Sequence, residues 1–128
     1  LLRFNSPLKA LTPGQLRYLT EMDNRRHLAV CAYINDGGGD FGIAVARYVA
    51  VGSSGDTAEF ALTVIDDYQN RGVGTMLLDE LIRRARRNGI RNFRGHVRAD
   101  NRPMLHILAR YAPRLVRDGG LYRADISL

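Results

Sequence analysis

The chain has 128 residues, of which 45% are hydrophobic and 25% charged, and its formal net charge is +6 at pH 7. This composition indicates one globular domain and excludes a disordered chain or an internal disulfide framework, because Cys31 is the only cysteine. The longest apolar stretch, 41–51, contains Arg47 and is too short to span a bilayer, so we expect a soluble, cytoplasmic protein.

The first predicted element is a helix that begins near Thr12. This residue is a suitable N-cap, Pro13 fits the first turn, and Leu16, Leu19 and Met22 follow at helical spacing.

Apolar and partly β-branched runs predict three strands in the next part of the chain. They cover 28–34, 41–51 and 57–65, and the turns 35–40 and 52–56 separate them. The first two strands should pair as an antiparallel hairpin, and the third leads to a loop with two glycines.

The clearest element is a helix over 74–88, with one apolar face and acid–arginine pairs four residues apart. A fourth strand is predicted over 90–97. Asp100 can cap a second helix that has Pro103 in its first turn and runs to about Tyr111.

A terminal hairpin of 115–117 and 122–128 turns through two glycines. The strands before and after the helix at 74–88 should be parallel neighbours through a right-handed crossover. The predicted fold class is therefore α/β (α+β), with a mixed sheet flanked by helices.

The junction between the third strand and the long helix is the main functional signal. A helix N-terminus leaves backbone N–H groups unpaired and carries partial positive charge, which suits a phosphate or pyrophosphate. Gly72 and Gly74 lack the Cβ atoms that would keep a bulky anion away. A P-loop needs a lysine here and a dinucleotide fingerprint needs a third glycine, and the sequence has neither.

The remaining pattern, Gln69-x-x-Gly72-x-Gly74, resembles the acyl-CoA pyrophosphate loop of the GCN5-related N-acetyltransferases (GNAT superfamily). The order of elements also resembles that superfamily from its second helix onward, and bacterial protein lysine acetyltransferases most of all. The matching stretches are 11–23, 58–78 and 101–104. The resemblance implies a mostly antiparallel mixed sheet with a splayed parallel strand pair at the acyl-CoA site.

The family's first strand and first helix have no counterpart before Leu1. We therefore expect residues 1–128 to form a single acetyltransferase domain that is incomplete at its N-terminus.

The resemblance implies acetyl-CoA as cosubstrate and assigns three groups of contacts to it. The third strand would bind the pantetheine arm through its backbone, the glycine loop would wrap the pyrophosphate, and the last helix would add two side chains. In that order the residues are Leu62, Thr63 and Val64; Gln69, Asn70, Arg71, Gly72, Val73, Gly74 and Thr75; and Asn101 and Arg110. The alternatives are a merely tight turn, an Asn101 that only starts a helix, and a solvated Arg110.

Glu59 is the candidate general base. It is the only acidic residue within the third predicted strand, and the resemblance puts a catalytic glutamate at this position. Alternation along the strand places it on the same face as Ala61 and Thr63. We expect this position to be half-buried, and the alternative is an exposed surface glutamate.

Tyr111 is the candidate general acid. Many family members carry a tyrosine seven residues after the asparagine of the last helix, but here that position is Leu108. Tyr111 lies one turn further along, and its alternative role is that of a core aromatic.

We predict an N-acetyltransferase that transfers an acetyl group from acetyl-CoA to a primary amine, with protein lysine as the first choice of acceptor. A small amine or amino acid is the alternative acceptor, and an acyl-CoA-sensing module without turnover is the alternative function. The three histidines and Cys31 lack metal-ligand spacing, so no metal is expected. The sequence has no recognisable nucleic-acid motif, so neither nucleic acid nor a membrane is expected as a partner.

Overall fold

The computed structural model describes residues 16–35, 39–65 and 72–128. In chain order the elements are β1 Leu16–Asn24, β2 His27–Asn35, β3 Asp40–Val51, β4 Thr57–Val64, α1 Val73–Arg87, β5 Asn92–Arg98, α2 Arg102–Ala109, β6 Arg114–Asp118 and β7 Leu121–Ser127.

The described strands form one seven-stranded sheet in the order β1-β2-β3-β4-β5-β7-β6. Every neighbouring pair is antiparallel except β4 and β5, which are parallel and joined through α1. This arrangement confirms the predicted mixed, mostly antiparallel sheet, the hairpin of β2 and β3, the crossover through α1 and the terminal hairpin of β6 and β7.

The core lies between α1 and one face of the sheet. The apolar side of α1 packs against β2, β3 and β4, and its residues Leu77, Leu78 and Leu81 are fully buried. Tyr48 is also buried, and its hydroxyl is satisfied there: it donates to the Arg25 carbonyl at 3.0 Å and accepts from Asn88 Nδ2 at 2.7 Å.

None of the helices in the described ranges is long and apolar enough to cross a lipid bilayer. The predicted cytoplasmic location stays a prediction.

The helix predicted from Thr12 onward is wrong for the part that the structure describes. Residues Leu16–Asn24 form β1, which pairs antiparallel with β2 from Leu16 opposite Ile34 to Asn24 opposite His27. Backbone hydrogen bonding with β2 determines that this segment is a strand, although its apolar residues have helical spacing. The predicted cap at Thr12 lies outside the described residues.

The second helix begins one residue later than predicted. Asn101, not Asp100, is its N-cap, because the Asn101 side chain accepts a hydrogen bond from the Met104 N–H at 3.2 Å. Asp100 forms an ion pair with Arg98 instead, at 2.9 Å. The ion pair between the Asp100 carboxylate and the Arg98 guanidinium is stronger than a hydrogen bond from a backbone amide of α2 would be.

The parallel pair β4–β5 is short. Its register contains three residue pairs and ends at Glu59 and Arg94. At the next position the Phe60 ring occupies the space above Gly95, where a Cβ would lie 2.7 Å from Cε1 of the ring. The same ring stacks on Phe93 with centroids 5.1 Å apart. Beyond this wedge the two strands no longer pair.

We expect Gly95→Ala to lower the free energy of unfolding by about 1–3 kcal/mol, because the new methyl group would displace the buried Phe60 ring. Gly42→Ala in β3 is the matched control, since a Cβ at that strand position meets nothing within 4 Å. Urea denaturation of both variants measures the difference. Equal midpoints would show that Gly95 is not needed for the Phe60 packing.

Candidate functional site

A cavity of about 400 Å³ lies where the end of β4, the start of α1 and one side of α2 meet. Its lining residues are Leu62, Thr63, Val64, Gly72, Gly74, Thr75, Asn101, Pro103, Met104, His106 and Ile107. Seven of these were predicted as cofactor contacts, and they come from three different elements. The structure therefore brings together most of the predicted binding residues that it describes.

Other predicted residues lie elsewhere. The side chain of Val73 is buried in the core, with 1% exposure. Arg110 is exposed and directed at Asp79, with 3.6 Å between its Nη2 and the carboxylate Oδ2. Gln69, Asn70 and Arg71 lie outside the described residues.

The N-terminus of α1 opens onto the cavity. Gly72 is the N-cap with φ of 87°, a left-handed conformation that favours glycine. Among the described residues no side chain caps this end, and the first turn of α1 contains no acidic residue. The first-turn amides have no intrahelical acceptor, so they remain available to an anion.

Gly74 is buried, and its missing Cβ has a packing role. A Cβ there would lie 2.7 Å from Cδ1 of Ile107 and 3.3 Å from Cγ2 of Val64. A larger residue would therefore require the Ile107 side chain to move, and glycine lets α1, α2 and β4 pack closely without that shift. This role is different from the one inferred from the sequence, which was to let an anion approach the backbone.

Asn101 starts α2, as one of its two predicted alternatives stated, and its contact with a cofactor stays a prediction. Its side-chain oxygen caps α2 through the Met104 N–H, and the residue also lines the cavity.

A second, smaller cleft of about 130 Å³ continues from this cavity. It lies between β4 and β5 where the strands diverge, and it shares Leu62, Asn101 and Met104 with the cavity. Its lining includes Phe60 from the core face of β4 and the exposed Ala61 from the opposite face. Residues from both faces of β4 therefore contribute to the lining of the cleft.

Glu59 directly precedes Phe60 and Ala61, which line this cleft, but it is not itself among the lining residues. It is exposed, which matches the alternative that was stated for it and not the expected half-buried position. As predicted, it shares its face with Ala61 and Thr63. Its neighbours in register are Val49 on β3 and Arg94 on β5.

Tyr111 lies beside α1 and is not among the residues that line the cavity. Its hydroxyl donates a hydrogen bond to the Asp79 carboxylate and also approaches the Thr75 carbonyl at 3.4 Å. Burial raises the pKa of the Tyr111 hydroxyl above its usual value, and the Asp79 carboxylate raises this pKa further. This geometry favours a structural role over proton donation.

Sequence reasoning missed several lining residues. Met104, His106 and Ile107 face the cavity from α2, and His96 lines the cleft from β5. The cap at Asn101 could have identified Met104, because a residue three positions after the N-cap lies above it on the helix. His96 was considered only as a metal ligand, and alternation from Arg94 would have placed it on the outer face.

The sequence matches the Acetyltransferase (GNAT) family over residues 4–112. It is 38% identical to Acetyltransferase Pat of Mycolicibacterium smegmatis over 98% of this chain and 37% of that protein. It is 34% identical to Acetyltransferase PA5475 of Pseudomonas aeruginosa over 80% of this chain and 54% of that protein. The chain thus spans about a third to a half of the length of these curated relatives.

A solved structure is similar as well. The GNAT domain of S. lividans PAT superimposes with a TM-score of 0.71 at 30% sequence identity, which covers 84% of this chain and 64% of that one.

We expect Tyr111→Phe to lower the free energy of unfolding by about 0.5–1.5 kcal/mol, because it removes the hydrogen bond to Asp79 that ties the end of α2 to α1. Tyr122→Phe is the matched control, since the Tyr122 hydroxyl only accepts an exposed hydrogen bond from Arg117 at 3.3 Å. Urea denaturation compares the two variants. A larger loss for Tyr122→Phe would contradict the structural role of Tyr111.

Proposed function

This chain belongs to the acetyltransferase (GNAT) family, and on that premise we propose that it transfers an acetyl group from acetyl-CoA to the amine of a protein lysine. The observation that carries the proposal is the cavity at the N-terminus of α1, which shares lining residues with the cleft where β4 and β5 diverge, one residue after Glu59. We also propose that residues 1–128 act as one domain.

The residues at the start of α1 fit a diphosphate. The amides of the first turn supply donors, the left-handed Gly72 exposes them, and no acidic side chain of that turn opposes a negative charge. Thr75 adds a hydroxyl at the same end of the cavity. We propose that these groups bind the diphosphate of coenzyme A, together with Gln69, Asn70 and Arg71.

The divergence of β4 and β5 supports the proposed role of Leu62, Thr63 and Val64. In the described residues the register of β4 with β5 ends at Glu59, so later backbone groups on that side of β4 do not pair with β5. They can bind an extended pantetheine arm as a strand would, and an N–H group there can stabilise the oxyanion of acyl transfer.

Acetyl-CoA supplies the activated acetyl thioester. Glu59 accepts the proton that the acceptor ammonium must lose before its nitrogen can attack the carbonyl carbon. The carbon–nitrogen bond forms, the carbon–sulfur bond breaks as the tetrahedral intermediate collapses, and coenzyme A leaves as the thiolate. The nitrogen loses its second proton in this step. Because the Tyr111 hydroxyl already donates to Asp79, we propose that water and not Tyr111 carries that proton to the thiolate.

A protein acceptor fits the outer end of the cleft. Ala61, Glu59 and Thr63 are exposed there, on a sheet face and not inside an enclosed pocket. A long lysine side chain can reach the cleft from a protein surface that lies against this face. The similarity to Pat and to the GNAT domain of S. lividans PAT supports the same class of enzyme.

We expect the chain to bind acetyl-CoA in a calorimetric titration, and Thr75→Val to weaken that binding by roughly 10- to 100-fold, because a hydrogen bond to a charged phosphate is lost. Thr57→Val, at the opposite end of β4, is the control and should leave the affinity unchanged. S-acetylpantetheine, which lacks the diphosphate, should bind Thr75→Val and the parent chain equally. An equal loss for both ligands would place the diphosphate elsewhere.

We expect Glu59→Gln to lower kcat about 100-fold or more while the Kd for acetyl-CoA stays within about twofold, because the amide cannot accept the acceptor proton. Release of coenzyme A thiol in the presence of a lysine peptide measures kcat. Glu80→Gln is the matched control, since Glu80 bonds Arg83 and Arg84 on α1. His96→Gln removes the other titratable group at the cleft, and a larger loss there would transfer the base role to His96.

A further inference from the structure

We propose that Arg47 binds a carboxylate of the acceptor, so that the preferred acceptor is a lysine with an aspartate or glutamate two residues away. This inference rests on the proposed function and specifies its substrate class. It comes from the charges that surround Glu59 on the outer face of the sheet.

Arg47 and Glu59 lie on the same face of adjacent strands. Arg47 is directly opposite Ala61, and Glu59 is directly opposite Val49. Arg47 and Glu59 are therefore diagonal neighbours, roughly 7–8 Å apart and with a somewhat shorter separation of their Cβ atoms. Both side chains are exposed, and the small Ala61 beside them lines the cleft.

The other arginine beside Glu59 already has an anionic partner. Arg94 is in register with Glu59, yet its Nε bonds Asp125 Oδ1 at 3.1 Å. Arg123 bonds the other oxygen of the same carboxylate at 3.3 Å. Asp125 therefore holds Arg94 and partly neutralises it.

Arg47 differs from Arg94 in this respect. Across residues 25–34, 39–65 and 72–128, whose side chains the structure describes, Arg47 has no ion pair or hydrogen bond from its guanidinium. An exposed arginine beside the acceptor end of the cleft can bind a carboxylate with two parallel hydrogen bonds. Around Glu59, Arg94 from β5 is the neighbour in register and Arg47 from β3 is the diagonal neighbour.

The spacing selects the position of the acidic residue. Residues two apart on an extended peptide project to the same side and lie about 7 Å apart. This separation matches the diagonal between Glu59 and Arg47. A lysine whose amine reaches Glu59 would thus present an acid two residues away to Arg47.

The experiment uses capped seven-residue peptides with one central lysine and either glutamate or glutamine two residues from it. We expect kcat/KM for the glutamate peptide to be at least about tenfold higher, which is the size of a hydrogen bond to a charged group. Arg47→Gln should reduce that ratio to within about twofold, and Arg47→Glu should invert it in favour of the glutamine peptide, because the two carboxylates would repel each other. Because each ratio compares two substrates of one variant, partial unfolding cannot produce it.

Arg94→Gln is the matched control, since it removes an arginine from the same face that Asp125 already neutralises. It should preserve the glutamate preference. Equal kcat/KM for the two peptides, or loss of the preference in Arg94→Gln alone, would overturn the role of Arg47. Faster acetylation of free lysine than of either peptide would also overturn it, because the carboxylate would then belong to a small acceptor.

A binding arm separates this inference from the proposed function. Anisotropy of the fluorescein-labelled glutamate peptide should show binding that Arg47→Gln weakens about tenfold or more. If neither peptide is acetylated but this difference in binding is found, the proposed function fails and the carboxylate site stands. If both peptides are acetylated and no difference is found, the carboxylate site fails and the proposed function stands.

Discussion

The separation of β4 from β5 is the constraint on which the site depends. Two parallel neighbours normally pair along their length, but here the Phe60 ring lies over Gly95 and the register ends one residue earlier. The same ring stacks on Phe93, so apolar packing fixes the Phe60 side chain at the point where the strands diverge. The cleft at this divergence shares three lining residues with the cavity and begins one residue after Glu59 in β4.

The polar groups at the cavity differ from those on the outer face near Glu59, which suits a reaction between an anionic cosubstrate and a cationic acceptor. The cavity end is formed by helix amides and a hydroxyl, which attract a diphosphate. The outer face combines one exposed carboxylate with several arginines, of which Arg94 and Arg123 share Asp125. Under the proposed function, the two reactants would meet where β4 and β5 diverge, and such positioning supplies much of the rate in acyl transfer.

The sequence predicted most of the fold because its elements are locally consistent. The apolar face of α1 and the alternation of β4 each specify one structure, and the structure has both. Pairing between distant residues was not predictable in the same way. β1 was predicted as a helix because local spacing of apolar residues carries no information about which strand pairs with it. The cleft lies beside the contact between Phe60 and Gly95, which are 35 positions apart in the sequence. The cavity residues of β4 and α1 followed from the glycine motif, whereas those of α2 required knowing how it packs.

The contact at Gly74 has a consequence for the thermodynamics of ligand binding. Since Cδ1 of Ile107 and Cγ2 of Val64 occupy the space beside this glycine, movement of the start of α1 toward α2 would cause a clash and movement away would open a void. This packing favours a cavity mouth that is formed before a ligand arrives. A preorganised mouth loses little conformational entropy when a ligand binds. Most of the favourable free energy of the contacts formed there therefore contributes to the binding affinity.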